Sequence, residues 1–425
     1  MQYVDRVILH VDANCFYASV EMFRNPSLRG RAMCVGGDEE ARHGIVLTKS
    51  PLAKKAGVKT GEPLAQARKK CPDLIVVPPH HRDYLSFSHD MRSIYYSYTD
   101  QVEPFGLDEA WLDVTNSDLA VVNDPLLIAE EISERIKFEL GITVSIGVSW
   151  NKPFAKLGSD IDSGDGIIVI TRDNYKEIVW PRPVSDLINV GPATTRKFYS
   201  SNIKTIGDLA CASNYLLDHR FGVIGQRLKI EARGEDISLV KRIDPKALDT
   251  TRSIKSIGNG LTASHDITNV TDAKALLYRL SESVGQRLRE LHLRGKVVSI
   301  GVRHNNLYSY TRQVSLSYPT CITTEIMYAS FKLLKQNEPL DESSPIRALH
   351  VRMGELSDDS APYQNDLFGD QERRKCLERL DFTIDSLRSR FGNNCIQRLA
   401  ELQDPTLNGL DIKQDNIIHP VSYWG

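Results

Sequence analysis

None of the seven cysteines (Cys15, Cys34, Cys71, Cys211, Cys321, Cys376, Cys395) forms a Cys-x-x-Cys pair, and they are scattered over 425 residues. That spacing argues against a zinc ribbon or a disulfide framework and fits a reducing, cytoplasmic setting. No apolar run approaches the roughly 18–20 residues of a membrane span, so no membrane partner is expected. The first residues, Met1–Arg6, lead straight into a strand-like run, so no signal peptide is expected. Internal repeats and low-complexity tracts are missing. So is a strong charge of either sign, because 53 Lys and Arg balance 55 Asp and Glu. A nucleic-acid binder usually carries a basic excess, but the distribution matters more than the sum. Arg252–Ser357 holds fourteen Lys or Arg against nine Asp or Glu, and Asp358–Gly425 holds eight against twelve. A basic module followed by an acidic tail is hidden in the total.

What is present is enough apolar residue (41%) for a sizeable core and a length that suggests about three domains. Val7–Val11 reads as a buried strand and Asn14–Phe23 as a helix. Ala110–Val114 and Thr143–Val148 read as further strands. Between them, Pro125–Leu140 has helical spacing, with Leu127, Ile128, Ile132, Ile136 and Leu140 on one side. Strands interleaved with helices predict an α/β sheet, interrupted by an insertion over about 23–81. From about 171 to 234 the chain is helical and punctuated by glycine, with tight turns at Asn189–Thr195 and Phe221–Gln226. Glu235–Thr251 reads as a linker. From Arg252 the order strand, helix, strand, strand, helix, strand is the split βαβ pattern, followed by a polar stretch and one helix near 371–391. The fold class is therefore α/β and α+β, in several domains.

Three stretches carry candidate chemistry: His10–Tyr17, Gly106–Ala110 and Asn151–Leu157. Asp12 ends an apolar strand, where a bare carboxylate is costly unless paired or bound to metal. Asp108 and Glu109 would point to opposite faces of a regular strand, but Pro104-Phe105-Gly106 before them suggests a turn that aims both at one place. Three carboxylates on neighbouring strand ends suit two Mg²⁺ ions and an in-line displacement at phosphorus. Taken singly, Asp12 also reads as a helix cap and Asp108-Glu109 as a solvated turn.

In their order these stretches resemble the motifs of the Y-family translesion DNA polymerases, of the bacterial DNA polymerase IV (DinB/UmuC) group, over roughly the first 355 residues. The resemblance implies a right-hand polymerase: palm (1–22 and 82–170), fingers (23–81), helix-hairpin-helix thumb (171–234), linker (235–251), split βαβ little finger (252–357) and a C-terminal tail (358–425). It implies catalytic Asp12, Asp108 and Glu109 binding two Mg²⁺ with the Ala13 carbonyl, and low-fidelity, template-directed transfer from a dNTP to a primer 3′-hydroxyl on primer/template DNA. It makes Tyr17 the steric gate against a 2′-hydroxyl, with Phe16 beside it; both also read as core aromatics.

The triphosphate grip departs from the family. Where members often read Thr-x-Asn-Tyr-x-Ala-Arg, this chain has Thr48-Lys49-Ser50-Pro51-Leu52-Ala53-Lys54, and Ser163 stands where a lysine is usual. Thr48 and Lys54, and Lys49 beside them, are the remaining candidates, although a lysine lacks the bidentate fork of arginine. Asn189-Val190-Gly191-Pro192 resembles a helix-hairpin-helix turn that holds a DNA phosphate at Val190, Gly191, Ala193 and Thr194. In the basic module Arg252, Lys255, Lys296, Arg303 and Arg312 lie on or beside strands and could track a duplex backbone; a solvated charged face is the plain alternative. Gln364-Asn365-Asp366-Leu367-Phe368 resembles the peptide that docks bacterial polymerases on the sliding clamp, with Gln364, Leu367 and Phe368 as its anchors. The expected enzyme is a monomer. A polymerase-like scaffold without catalysis and a nucleotide cyclase on a related palm stand as the alternatives.

Overall fold

In the computed structural model, residues 6–37, 44–117, 125–161, 164–242, 254–361 and 371–399 are described. The chain divides into two compact units, one mainly of Met1–Gly36 and Ile45–Thr251, the other mainly of Arg252–His419.

The first unit is built from β1 (Ile8–Ala13), α1 (Phe16–Arg24), β2 (Met33–Gly36), β3 (Val46–Lys49), α2 (Pro51–Lys55), α3 (Leu64–Lys70), β4 (Ile75–Val77), α4 (His81–Tyr96), β5 (Val102–Pro104), β6 (Glu109–Asp113), α5 (Pro125–Leu140), β7 (Val144–Ser149), α6 (Lys152–Ile161) and β8 (Ile167–Val169). Five strands form one sheet in the order β5-β6-β1-β7-β8. β1 lies at its centre, antiparallel to both neighbours. The expected insertion holds a separate sheet, β3-β2-β4.

Two expectations shift. The first helix starts at Phe16 rather than Asn14, because Cys15 takes the left-handed conformation (φ 51°, ψ 42°). In α5 the buried stripe is Ile128, Ile132 and Ile136, while Leu127 is 51% exposed. Leu127 precedes Ile128 by one residue and so sits about 100° away on the helix.

The helix α6 packs unusually close to the sheet. A Cβ on Gly147 of β7 would lie 1.9 Å from the Ala155 carbonyl, and one on Gly158 would lie 2.9 Å from the Gly147 Cα. Glycine at both positions lets α6 settle over β1 and β7. Four further helices follow: α7 (Tyr175–Ile178), α8 (Pro192–Ser200), α9 (Ile206–Cys211) and α10 (Asn214–Ala232). The second expected turn is a kink inside α10, where Gly222 has φ 60° and ψ −149°.

The second unit runs β9 (Ser256–Ile267), α11 (Val270–Glu290), β10 (Leu293–His304), β11 (Ser309–Thr320), α12 (Thr323–Asn337), β12 (Ile346–Asp358) and α13 (Gln371–Phe391), the element order expected from the sequence. Its sheet order is β11-β10-β12-β9. Val298, Ile300 and Val302 of β10 and Leu349, Val351 and Met353 of β12 share one core with Leu276, Leu280 and Val284 of α11. The helices therefore cover one face of the sheet. Among the described residues, no helix is long and apolar enough to cross a membrane.

Candidate active site

The end of β1 sets the site. Asp12 pairs directly with Glu109 on β6 and with Ser145 on β7. Asp108 precedes β6 in a turn closed by a hydrogen bond from the Phe105 amide to the Glu109 carbonyl (2.8 Å). Gly106 makes that turn at φ 99°, a conformation that favours glycine. The Ala13 amide donates to the Asp108 carbonyl (2.9 Å), so backbone bonds fix Asp108 beside the strand end. Asp12 and Glu109 each offer a carboxylate oxygen, and His10 a ring nitrogen, within 4.8 Å of one another.

Among the described residues one ammonium lies within 4.0 Å of Asp12 and Glu109. Lys156 Nζ on α6 lies 2.6 Å from Glu109 Oε2, 3.8 Å from Asp12 Oδ2 and 3.7 Å from Asp160 Oδ1. Burial alone would lower the Lys156 pKa, but the three carboxylates raise it and keep it charged. Asp12 is pushed up to about 8, by burial first and then by the Glu109 charge. Asp108 is pushed up to about 6 for the same two reasons. Burial works against ionised Glu109 too, yet the His10 ring and Lys156 hold it low. His10 is fully buried, which lowers its pKa to about 4 and leaves it neutral. Ser159 Oγ lies 2.7 Å from His10 Nδ1, and His10 Nε2 faces Glu109 Oε2 at 3.4 Å. His10 thus orders the floor of the site and adds no charge. Three hard oxygen donors with too little positive charge nearby fit divalent cations.

Tyr17 is half-buried on α1, and its hydroxyl pKa is raised by burial and by the Asp108 charge beside it. Phe16 is buried in the core, with ring centroids 5.7 Å from Tyr17. Pro51 opens α2 at a position that suits proline, with Ser50 as the cap. Thr48 lies on β3 and is partly buried, and Lys54 on α2 is exposed. Lys54 and Lys49 both act electrostatically on the Cys15 thiol, whose pKa is nevertheless raised by burial. Both lysines therefore border the start of α1. Lys49 Nζ also donates to Thr60 Oγ1 (2.9 Å).

At the hairpin turn Asn189 takes the positive φ (67°), Val190 is buried, and exposed Gly191 and Ala193 and partly buried Thr194 surround the start of α8. In the second unit, strand register sorts the basic residues. Arg303 pairs with Ser309 and Ala348, on the face away from the helices. Arg312 pairs with the core residue Ile300 and bonds Asn337 at the end of α12 (3.1 Å), so it lies on the helix side and not with Arg303. Arg352, missed in the sequence reading, pairs with Ser299 and Gly258 on the open face. A Cβ on Gly258 would lie 3.0 Å from the Arg352 Cβ, so glycine there makes room for that side chain. Lys255 and Lys296 are exposed near Gly354, at one end of the sheet. Arg252, Ser163, Gln364, Leu367 and Phe368 lie outside the described residues.

Comparison with known proteins bears on the family and the fold. Residues 11–160 match the model of the impB/mucB/samB family, and residues 254–367 match that of its C-terminal domain. The chain is 46% identical to a DNA polymerase IV of Acetivibrio thermocellus, over 95% of this chain and 99% of that protein. It is 36% identical to a DNA polymerase IV of Oceanobacillus iheyensis, over 92% and 91%. A solved Y-family DNA polymerase chimera has a similar fold, with a TM-score of 0.72 at 21% identity, covering 82% of this chain and 99% of the other. The palm, fingers, thumb and little finger of that fold are the architecture of this chain. With this sequence similarity spanning nearly its whole length, the chain belongs to the Y-family of DNA polymerases, in the DNA polymerase IV group.

Proposed function

We propose that the chain is a low-fidelity, template-directed DNA polymerase that extends primers past damaged template. The observation that carries this is that Asp12 and Glu109 pair at the end of the central strand with Lys156 close to both, and that a backbone bond ties Asp108 beside them. Asp12, Asp108, Glu109 and the Ala13 carbonyl hold two Mg²⁺ ions. When bound, such ions stabilise both the attacking 3′-oxygen and the departing pyrophosphate. The chain's own residues do the rest. Lys156 holds Glu109 ionised and in place, and the His10–Ser159 pair fixes the floor on which the carboxylates stand.

Tyr17 is the gate that a 2′-hydroxyl would strike, with Phe16 as its backing. Thr48 and Lys54, helped by Lys49, meet the triphosphate. Their proximity to the start of α1 supports this assignment, and the weaker grip of lysine implies a high KM for dNTPs. Val190, Gly191, Ala193 and Thr194 hold a DNA phosphate in the thumb. Arg303 and Arg352 on the open sheet face, with Lys255 and Lys296 at one end of the sheet, track the duplex backbone without reading bases, and Arg252 adds a further positive charge. The working domains are palm 1–22 and 82–170, fingers 23–81, thumb 171–234 and little finger 252–357. Gln364, Leu367 and Phe368 dock the monomer on a sliding clamp in the cytoplasm.

The test is primer extension on undamaged and abasic templates with Mg²⁺ and four dNTPs, alongside Asp108→Ala. Template-directed addition that continues past the lesion and is lost in the variant is expected. Extension unaffected by Asp108→Ala would refute the assignment of the site.

A further inference from the structure

Tyr17 does not stand alone. Its ring stacks on that of Tyr84 with centroids 4.2 Å apart and planes 9° from parallel. Tyr84, on the first turn of α4, has no exposed surface. Its hydroxyl donates to Glu21 Oε1 at 2.5 Å. Glu21 is itself buried, and it lies four residues after Tyr17 on the same face of α1. The carboxylate is also met by His80 Nδ1 at 2.9 Å and by the Arg24 guanidinium, whose Nη1 donates to Oε2 at 3.2 Å. Arg24 in turn reaches Asp83 Oδ2 on α4 (2.8 Å). The helix α1 therefore grips Tyr84 twice, by the ring through Tyr17 and by the hydroxyl through Glu21. The His81 ring meets both tyrosines edge-on, at 6.2 Å and 5.7 Å.

A buried carboxylate is expensive to keep, and a plain tie between two helices needs no charge. What its bond to the Tyr84 hydroxyl does here is fix a ring plane. A steric gate works by contact, so its rejection of one oxygen atom depends on the ring holding its position to well under the width of that atom. We infer that Glu21 is a positioning residue for sugar selection: its bond to the Tyr84 hydroxyl locks the Tyr84 ring, and the locked ring holds Tyr17 in the blocking position. This rests on the reading of Tyr17 as the gate.

The experiment compares kcat/KM for a dNTP and the matching rNTP, on primed DNA with the full chain, in five variants. Tyr17→Ala tests the gate itself. Tyr84→Phe keeps the stack and removes the hydroxyl. Glu21→Leu removes the acceptor, and Glu21→Gln restores an acceptor oxygen without the charge. The double variant Glu21→Leu with Tyr84→Phe completes the cycle. Tyr84→Phe and Glu21→Leu are each expected to lower sugar discrimination about tenfold, ~1.4 kcal/mol of differential transition-state stabilisation. The double variant should lose no more than either alone, since both remove one bond, and Glu21→Gln should regain most of the discrimination. If Glu21→Leu fails to fold, Tyr84→Phe carries the test by itself. A merely structural tie would lower stability and leave the dNTP/rNTP ratio unchanged. That unchanged ratio, with Tyr17→Ala still relaxing selection, would overturn this inference alone. An unchanged ratio in Tyr17→Ala would overturn the gate as well.

Discussion

In the first unit, Asp12 and Glu109 share Lys156; among the described residues no other Lys or Arg comes within 4.0 Å of either, and none comes that near Asp108. In the second unit, α13 is tied to the helical layer by charges that balance. Arg289 lies 3.3 Å from Asp381 and 2.6 Å from Asp385, and Glu282 takes Arg388 and Arg398, each at 2.8 Å. Asp381 also accepts the Thr323 amide (2.8 Å) at the start of α12, where no local side chain provides a cap. Both places set carboxylates against basic side chains. Where the charges close on one another the cluster ties elements together; where they fall short of neutrality the cluster is arranged for a cation that the chain itself does not supply.

Substitutions separate the two. Asp108→Asn should cut primer extension by about a thousandfold or more, ~4 kcal/mol of lost transition-state stabilisation. The same change should leave the metal-free protein as stable as before or more so, because it removes one of three crowded acids; thermal unfolding in a chelator checks this. Asp381→Ala should do the reverse to its own unit. It removes one of the two carboxylates on buried Arg289 and the acceptor of the Thr323 amide at the start of α12, at a cost of about 1–3 kcal/mol in denaturant unfolding.

The contrast should also be visible in pH. Asp12 and Asp108 have folded pKa values of about 8 and about 6, above an ordinary aspartate. Each therefore stabilises the metal-free fold fully only below about pH 4, and that contribution is lost as pH rises, to about 6 for Asp108 and about 8 for Asp12. Divalent ions must displace those protons, so affinity for Mn²⁺ or Mg²⁺ should climb from pH 6 to 8 and then level. Metal titrations across that range measure it, and a flat profile would contradict the described crowding. The smallest effect is expected on the open sheet face. Arg352→Ala should weaken primed-DNA binding modestly and reduce the slope of log affinity against log salt by about one, while Arg312→Ala, on the helix side, should leave the slope unchanged.

The carboxylate trio was legible because each acid is marked locally, Asp12 by an apolar strand that ends on it and Asp108-Glu109 by the Gly106 turn. Lys156 stood in a recognised stretch without a role, since its place above β1 depends on the close approach of Gly147 and Gly158, which is a property of packing rather than of either segment. The basic residues of the second unit could be assigned to strands but not to faces. A single register fact, Arg312 opposite Ile300, sends that side chain to the helix side, and the same alternation brings Arg352 to the open one. Glu21 and Tyr84 gave no sign, because 63 residues separate the two ends of their hydrogen bond.

The three acids outnumber the one lysine beside them, and divalent ions shared with the triphosphate of a bound dNTP would make up the difference. Counting Mn²⁺ bound per chain, in complex with primed DNA and a non-hydrolysable dNTP, measures that directly. Two ions per wild-type chain, with at least one lost in Asp108→Ala, is the expected result. No bound manganese, or a count that Asp108→Ala leaves unchanged, would contradict it.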